Sequence, residues 1–278
     1  MRKILFVGLA AAIAASPAMA ADVKPNDNLN STYWTQNSIE FKANALAAYQ
    51  LAPLQLDQAL ADKNWTAAPV EQTGNYQGLP PAVILDVDET VLDNSMFQAW
   101  MVLNDKTFSS KTWGPFVNSV TSRVIPGSLA FTKYADSKGV KVFYVSNRTG
   151  DLEEATRKNL EKFGYPMGGN VDTVLLKKER KEWASSKKGV RRAHVTKDYR
   201  VLLLIGDNFG DFVDGYKGSP KERLALWEEN RSKWGKQWIM LSNPTYGSWE
   251  SAAFGHSYKF SREEQRQKKL DGLQGWKP

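Results

Sequence analysis

Residues 82–95 read Ala82-Val-Ile-Leu85-Asp86-Val-Asp88-Glu89-Thr90-Val-Leu-Asp93-Asn94-Ser95, an apolar run that breaks off in two carboxylates one residue apart. Four apolar residues in a row fit a strand buried on both faces, and a carboxylate is costly on such a strand except at its exposed end. On an extended chain side chains i and i+2 share a face. Asp86 and Asp88 therefore stand together at the rim of a sheet, where open α/β folds bind ligands. Two such carboxylates repel unless a cation or a shared proton separates their roles, so the pair is a candidate metal or acid–base site.

Outward from this stretch, strands and helices alternate. Strands are predicted at Val83–Leu85, Val140–Val145, Val171–Leu176, Val201–Ile205 and Trp238–Leu241, with helical stretches around 128–138, 151–163, 179–194 and 220–233. That alternation implies an α/β fold, a parallel sheet with helices on both faces. Residues 95–122 interrupt it with aromatics and no strand signal, which reads as an inserted cap. Upstream, Ile39, Leu46, Tyr49, Pro53, Leu56 and Leu60 form a heptad-like stripe predicting one long amphipathic helix, kinked at Pro53. Residues 21–35 read as loop, 66–81 as a linker, and the last twenty as a polar surface extension.

The chain has 278 residues, 42% of them apolar, enough for one large domain with an insert. Arg2 and Lys3, the apolar stretch Ile4 to Ala15 and Ala18-Met19-Ala20 form the three parts of a cleaved export leader over residues 1–20. About twelve apolar residues are too few to span a bilayer of roughly 30 Å, so no stable membrane anchor is expected. There is no cysteine, which excludes a lipid-modified cysteine, a thiol nucleophile and Cys-ligated metals. A periplasmic or secreted protein held by core packing alone is expected. Losing Arg2 and Lys3 takes the formal charge from +7 to +5, a mildly basic balance that suits small anionic molecules. The basic residues are spread along the chain and carry no nucleic-acid-binding motif, so no nucleic-acid polymer is expected as partner.

The predicted strand ends carry the chemistry. The first ends in Asp86-Val87-Asp88-Glu89-Thr90, the second in Ser146-Asn147-Arg148, and the fourth in Gly206-Asp207-Asn208-Phe209-Gly210-Asp211, while a basic segment between the third and fourth holds Lys187-Lys188. A parallel sheet puts all of these on one edge, and carboxylates, a hydroxyl, an amide and an ammonium are the parts phosphoryl transfer needs. Asp-x-Asp-x-Thr also opens calcium loops, but an EF-hand would need Gly where Val91 stands and Glu where Phe97 stands. The two histidines, His194 and His256, lack an Arg-His-Gly context, which leaves aspartate as the nucleophile of any phosphatase built here.

The set Asp86-x-Asp88-x-Thr90, Ser146-Asn147-Arg148, Lys188-x-x-Arg191 and Gly206-Asp207-x-x-x-Asp211 resembles the haloacid dehalogenase-like (HAD) phosphohydrolases. More narrowly, Ile84–Ser95, Val145–Arg148 and Asn243-Pro-Thr-Tyr-Gly-Ser-Trp-Glu250 look like the bacterial class C acid phosphatases, relatives of the lipoprotein acid phosphatase/5′-nucleotidase. The likeness runs from about residue 40 to 255.

That resemblance implies a HAD-like Rossmannoid core over 82–255 with a small, mostly helical cap at about 95–122. Residues 21–81 would contribute in part to the cap, and 256–278 would form a C-terminal extension. Asp86 would be the nucleophile, forming an aspartyl-phosphate, and Asp88 the general acid and then base, which implies an acidic optimum. Mg²⁺ would sit between Asp86, the backbone carbonyl of Asp88 and Asp207. Ser146, Asn147 and a lysine would hold the phosphate; Lys188 fits the spacing to Arg191, with Lys187, Lys177 and Lys178 as rivals. Asp211 and Arg191 would support this shell. Trp113 and Tyr246 match aromatics that would stack on a nucleobase. The implied activity is periplasmic, Mg²⁺-dependent phosphomonoester hydrolysis that includes nucleoside 5′-monophosphates. A phosphotransferase or a non-catalytic phosphate binder shares the motifs, and a homo-oligomer is left open.

Overall fold

The computed structural model describes residues 25–277; the leader read at residues 1–20 lies outside them. In chain order the strands are β1 (Pro81–Leu85), β2 (Leu92–Asp93), β3 (Arg123–Val124), β4 (Lys141–Thr149), β5 (Val174–Lys177), β6 (Arg200–Gly206) and β7 (Trp238–Met240). The helices are α1 (Leu29–Asn37), α2 (Ile39–Ala61), α3 (Ser95–Leu103), α4 (Ser110–Asn118), α5 (Ser128–Ser137), α6 (Glu153–Phe163), α7 (Gly189–Val195), α8 (Pro220–Glu229), α9 (Ser248–Ser251) and α10 (Arg262–Asp271). Five strands form a parallel sheet in the order β5-β4-β1-β6-β7, the doubly covered α/β architecture expected.

The strands split their side chains between two cores. Val83, Leu85, Val142, Tyr144, Leu203 and Ile205 face α2 and α5, while Ala82, Ile84, Phe143, Val145, Val201 and Leu204 face the layer holding Trp183, Val195 and Phe212. Burial on both faces is why β1 reads as an unbroken apolar run. From β1 the chain moves outward to β4 and β5, then crosses back to β6 on the other side. The strand order thus reverses about β1, and its carboxyl end opens into the crevice such reversals create.

Several elements differ from the sequence reading. The buried stripe of α2 is Phe41, Ala45, Tyr49, Ala52, Leu56 and Ala59, while Ile39 and Leu46 are 71% and 44% exposed. The seven-residue spacing at 39, 46, 53 and 60 drifts around a 3.6-residue helix, and alanines let α2 approach the sheet closely. This helix continues through Pro53 and packs on α5, β6 and β7, so it covers the sheet rather than the cap. Residues 21–35, read as loop, contain most of α1, which lies against α3 of the cap.

The linker at 66–81 is not free chain: Ala67 N–H donates to Val201 O at 2.8 Å and Gln72 Nε2 to Tyr199 O at 2.7 Å. The polar C-terminal stretch forms α10. The helix read over 179–194 begins only at Gly189, because Lys178 turns at φ +65° and a single helical turn buries Trp183 before Ser185-Ser186.

The insert is helical. The two-residue ribbon β2–β3 closes its base, α3 and α4 form its body, and Val117 of α4 rests on Leu152 and Ala155 beside α6. Two phenols anchor the loop after β1 from below, Tyr49 donating to Thr90 O at 2.7 Å and Tyr165 to Val91 O at 2.8 Å.

Gly127, which precedes α5, has φ +89°, and a Cβ there would lie 2.7 Å from the Tyr49 Cβ. Gly127→Ala is expected to lower stability by at least about 1–2 kcal/mol, the cost of a left-handed alanine alone. A urea midpoint equal to that of the parent would refute this packing of α2 on α5.

Candidate active site

At the end of β1 the chain leaves the sheet after Asp86, whose N–H still donates to Ile205 O at 2.9 Å. It then folds into a tight turn in which the N–H groups of Val91 and Leu92 both donate to Val87 O, at 3.0 and 2.9 Å. Glu89 takes a left-handed φ of +56°, an uncommon conformation for a residue with a Cβ. The turn holds Asp86 and Asp88 at the mouth of the crevice.

Asp86 meets acids from β6. Its carboxylate oxygens and those of Asp207 and Asp211 approach within 4.8 Å of one another. Asp207 accepts from Thr90 Oγ1 at 3.1 Å and Asn243 Nδ2 at 2.8 Å, and Asp211 accepts from the Asn208 N–H at 2.9 Å. The Lys188 ammonium enters this group, pairing with Asp86 and, at 2.7 Å, with Asp211. Lys188 stands at the N-terminal end of α7 and is 3% exposed, so the shortened helix places its buried ammonium against both acids. Lys177, Lys178 and Lys187 do not enter this group.

One ammonium does not balance three carboxylates. Burial, with the neighbouring acids, pushes Asp86 up to about 7 against the pull of Lys188, and pushes Asp207 well above its ordinary range. Burial works against the Lys188 charge, but Asp211 and Asp86 outweigh it and raise this group. A buried surplus of carboxylate oxygen suits a hard divalent cation. The trio holds two of the expected ligands, Asp86 and Asp207, and adds the Asp211 carboxylate beside them, while the Asp88 side chain points to other partners.

Asp88 faces Arg148 instead, which grips it from Nε at 2.9 Å and Nη2 at 2.8 Å. Asn94 Nδ2 also donates to Asp88 at 2.8 Å, and Ser146 Oγ lies 3.4 Å away. Arg148 is 2% exposed, donates to Thr156 Oγ1 at 3.2 Å, and lies over the Trp113 ring at 5.6 Å. Residue type alone assigns Arg148 no role. The available signal was its place two residues beyond Ser146 on a strand, hence on the same face.

The remaining candidates are distributed around this centre. Ser146 is buried, and its Oγ accepts from the Arg148 N–H at 3.0 Å. Asn147 is exposed and accepts from Arg191 Nη2 at 2.7 Å, while Arg191 Nη1 donates to Ser146 O. Burial lowers Arg191 to about 10.

Tyr246 donates its hydroxyl to Glu89, whose second oxygen accepts from the Asn94 N–H at 2.9 Å. Burial, with Asp88 beside it, raises Glu89 to about 8. Trp113 packs among Phe97, Phe108 and Phe116 in the cap, with ring centroids 5.1–6.1 Å away. Among the described residues it makes no ring contact with Tyr246. Glu89, Asn94 and Asn243, which brace the acids, had no assignment from sequence.

Residues 13–249 match the model of the family described as HAD superfamily, subfamily IIIB (acid phosphatase). The class C acid phosphatase from Bacillus anthracis is 33% identical, with 90% of this chain and 98% of that chain covered and a TM-score of 0.79. A structure of the same enzyme with tungstate bound gives a TM-score of 0.78 at 33% identity, with the same coverage. The stem 28 kDa and a stem 31 kDa glycoprotein of Glycine max are each 25% identical over 142 residues, 50% of this chain. The matched segment spans about half the length of these curated relatives, 55% and 48%.

The acid group sets a pH dependence. Asp86 and Glu89 rise from ordinary values of 3.8 and 4.5 to about 7 and 8, so the stability they contribute is present at low pH and lost as pH rises through those values. In chelator, the urea midpoint is expected to fall between about pH 4 and 8, and a divalent cation should restore it at the upper end. A midpoint that climbs over that range without metal contradicts this charge distribution. Arg148→Ala, which strands Asp88, should cost about 3–5 kcal/mol in the same assay.

Proposed function

The chain belongs to the HAD superfamily, subfamily IIIB acid phosphatases, and within that family we propose that it hydrolyses phosphomonoesters through Asp86 and Asp88. The observation that carries this reading is the convergence, on one edge of the sheet, of two differently served carboxylates. Asp86 is paired with a buried ammonium among further acids, while Asp88 is gripped by Arg148 beside Ser146. Tungstate, bound by the Bacillus anthracis relative, is a tetrahedral oxyanion with the shape of phosphate.

In the proposed reaction an Asp86 oxygen attacks phosphorus as the bond to the ester oxygen breaks, and that oxygen takes a proton from Asp88. Asp88, now a carboxylate, removes a proton from water. The water oxygen attacks phosphorus, the bond to Asp86 breaks, and phosphate leaves. Lys188 and Ser146 would donate to the phosphoryl oxygens, with Arg191 and Asn147 shaping the wall behind them.

Asp88 must be protonated at the start, which would place the optimum on the acid side; Arg148 would stabilise it once it has given up its proton. Mg²⁺ is the proposed ion, held by Asp86, Asp207 and the Asp88 carbonyl with Asp211 adjacent. When bound it supplies the positive charge that lets carboxylates face a phosphate dianion.

We extend the proposal to nucleoside 5′-monophosphates. Trp113 at the cap and Tyr246 beyond β7 approach the acids from different sides, through Arg148 and Glu89 respectively. Export to the periplasm rests on the leader pattern of residues 1–20.

The test is hydrolysis of aryl and alkyl phosphates. Asp86→Asn should abolish turnover of both, and EDTA should do the same to the parent. Asp88→Asn should slow the alkyl ester by about 10²–10⁴-fold and the aryl ester far less, because an aryl oxide leaves without a proton. Compared as kcat/KM, which excludes the hydrolysis step shared by both esters, equal losses would remove Asp88 as the proton donor, and full activity of Asp86→Asn would remove the mechanism.

A further inference from the structure

Lys188 leaves three neighbouring lysines of the sequence reading without a task, and the fold gathers them. Lys177 closes β5 opposite Thr149 of β4, one strand out from the Ser146-Asn147-Arg148 segment. Lys178 follows it in a left-handed turn. A hydrogen bond of 3.0 Å between Ser186 Oγ and Tyr216 Oη ties the Lys187 loop to the segment carrying Lys217. Arg191 fills the ground between these lysines and the acids: it donates to Asn147 at 2.7 Å on one side, and to Lys187 O at 3.5 Å from the same Nη2. Lys177 thus feels the charges of Lys178, Arg191 and Lys217 at the end of β5, and the Lys187 backbone is held beside them.

Such a cluster is unfavourable in the free protein. Among the described residues, Lys177, Lys178, Lys187 and Lys217 form no ion pair with any carboxylate. Lys177 is half-buried, and its ammonium is disfavoured by that burial and by Lys178, Arg191 and Lys217. Glu179 is the nearby acid, but its Oε2 is taken up by the Leu176 N–H at 2.8 Å. Close by, Lys158 pairs with Glu154 and Arg157 with Glu153 and Asp172, so these acids are taken up away from the rim. A repulsive cation cluster beside an anion-binding centre is relieved by a second anion.

We propose that the rim formed by Lys177, Lys178, Lys187 and Lys217 is a second anion subsite, selecting phosphomonoesters that carry a further phosphate group. It rests on the phosphomonoesterase reading above and names the substrate class of that site. The reacting phosphate sits over Asp86, and the second is held at the rim, outside the reaction. Ammonium groups on flexible stems suit this role, because they attract a dianion without dictating one geometry.

The experiment compares adenosine 5′-monophosphate with adenosine 3′,5′-bisphosphate, using the full chain and its Lys177→Gln/Lys217→Gln variant. For the parent, the bisphosphate should show roughly tenfold higher kcat/KM, expressed in KM, and the advantage should shrink as salt rises. The variant should lose that advantage while its kinetics on the monophosphate stay within about twofold of the parent. Lys217→Gln alone, at an exposed position, should lose part of it and guards against misfolding of the double variant.

Equal kcat/KM for the two substrates in the parent, or an equal loss on both in the variant, overturns the proposal. Calorimetric titration of both nucleotides into Asp86→Asn, with and without the rim substitutions, separates the two readings. Tighter, rim-dependent bisphosphate binding without turnover of either nucleotide by the parent would sink the phosphatase and keep the rim. Turnover of the monophosphate with no bisphosphate preference would do the reverse.

Discussion

Carboxylates buried at the end of a strand must have their charge answered, and in this protein the answer is the Lys188 ammonium set between Asp86 and Asp211. Much of the local architecture serves that contact. The turn at Lys178, the buried Trp183 and the late start of α7 bring residue 188 to the sheet edge from a segment that would otherwise run on as helix. Asn208 caps its own turn through Asp211 and so holds that carboxylate towards the lysine. Because one ammonium faces three acids, Asp86 and Asp207 remain poorly ionised for their type, a state that a divalent cation would relieve.

Asp88 shows how two acids of the same sequence motif acquire separate surroundings. It shares a rim with Asp86, yet its partner is an arginine that also supports the cap, through Trp113 on one side and Thr156 at the start of α6 on the other. Asn94 bonds to Asp88 and Arg148 and accepts from Ser122, joining the two ends of the insert at its base. The cap and Asp88 are thus parts of one hydrogen-bonded unit.

Much of this was legible in the sequence, for physical reasons. Parallel strands buried on both faces are continuous apolar runs, and the change to polar residues at 86, 146 and 207 marks their rim. The spacing that singled out Lys188 from its neighbours also agrees with where the ammonium groups lie. Other features were hidden. The pairing of Arg148 with Asp88 depends on where a long side chain turns, and Glu89 gains its importance from a backbone angle that no residue type announces. The face of α2 was misread because alanines carry little hydrophobic weight while permitting the closest approach, and the packed segment at 66–81 looked like linker because its small and polar residues bond to β6 and its flank.

The central place of β1 has a consequence for how the molecule comes into being. Its two neighbours are β4, which begins at Lys141, and β6, which begins at Arg200. While the chain is being made, the apolar Pro81–Leu85 segment therefore has no strand on either side until residues 141–144 of β4 have emerged, and the sheet acquires its middle only when Arg200–Gly206 arrives. All of these pairings are parallel and distant in sequence, the slowest kind to assemble. The strand that bears the acids thus waits for both of its neighbours, and its second edge stays uncovered until β6 has been made.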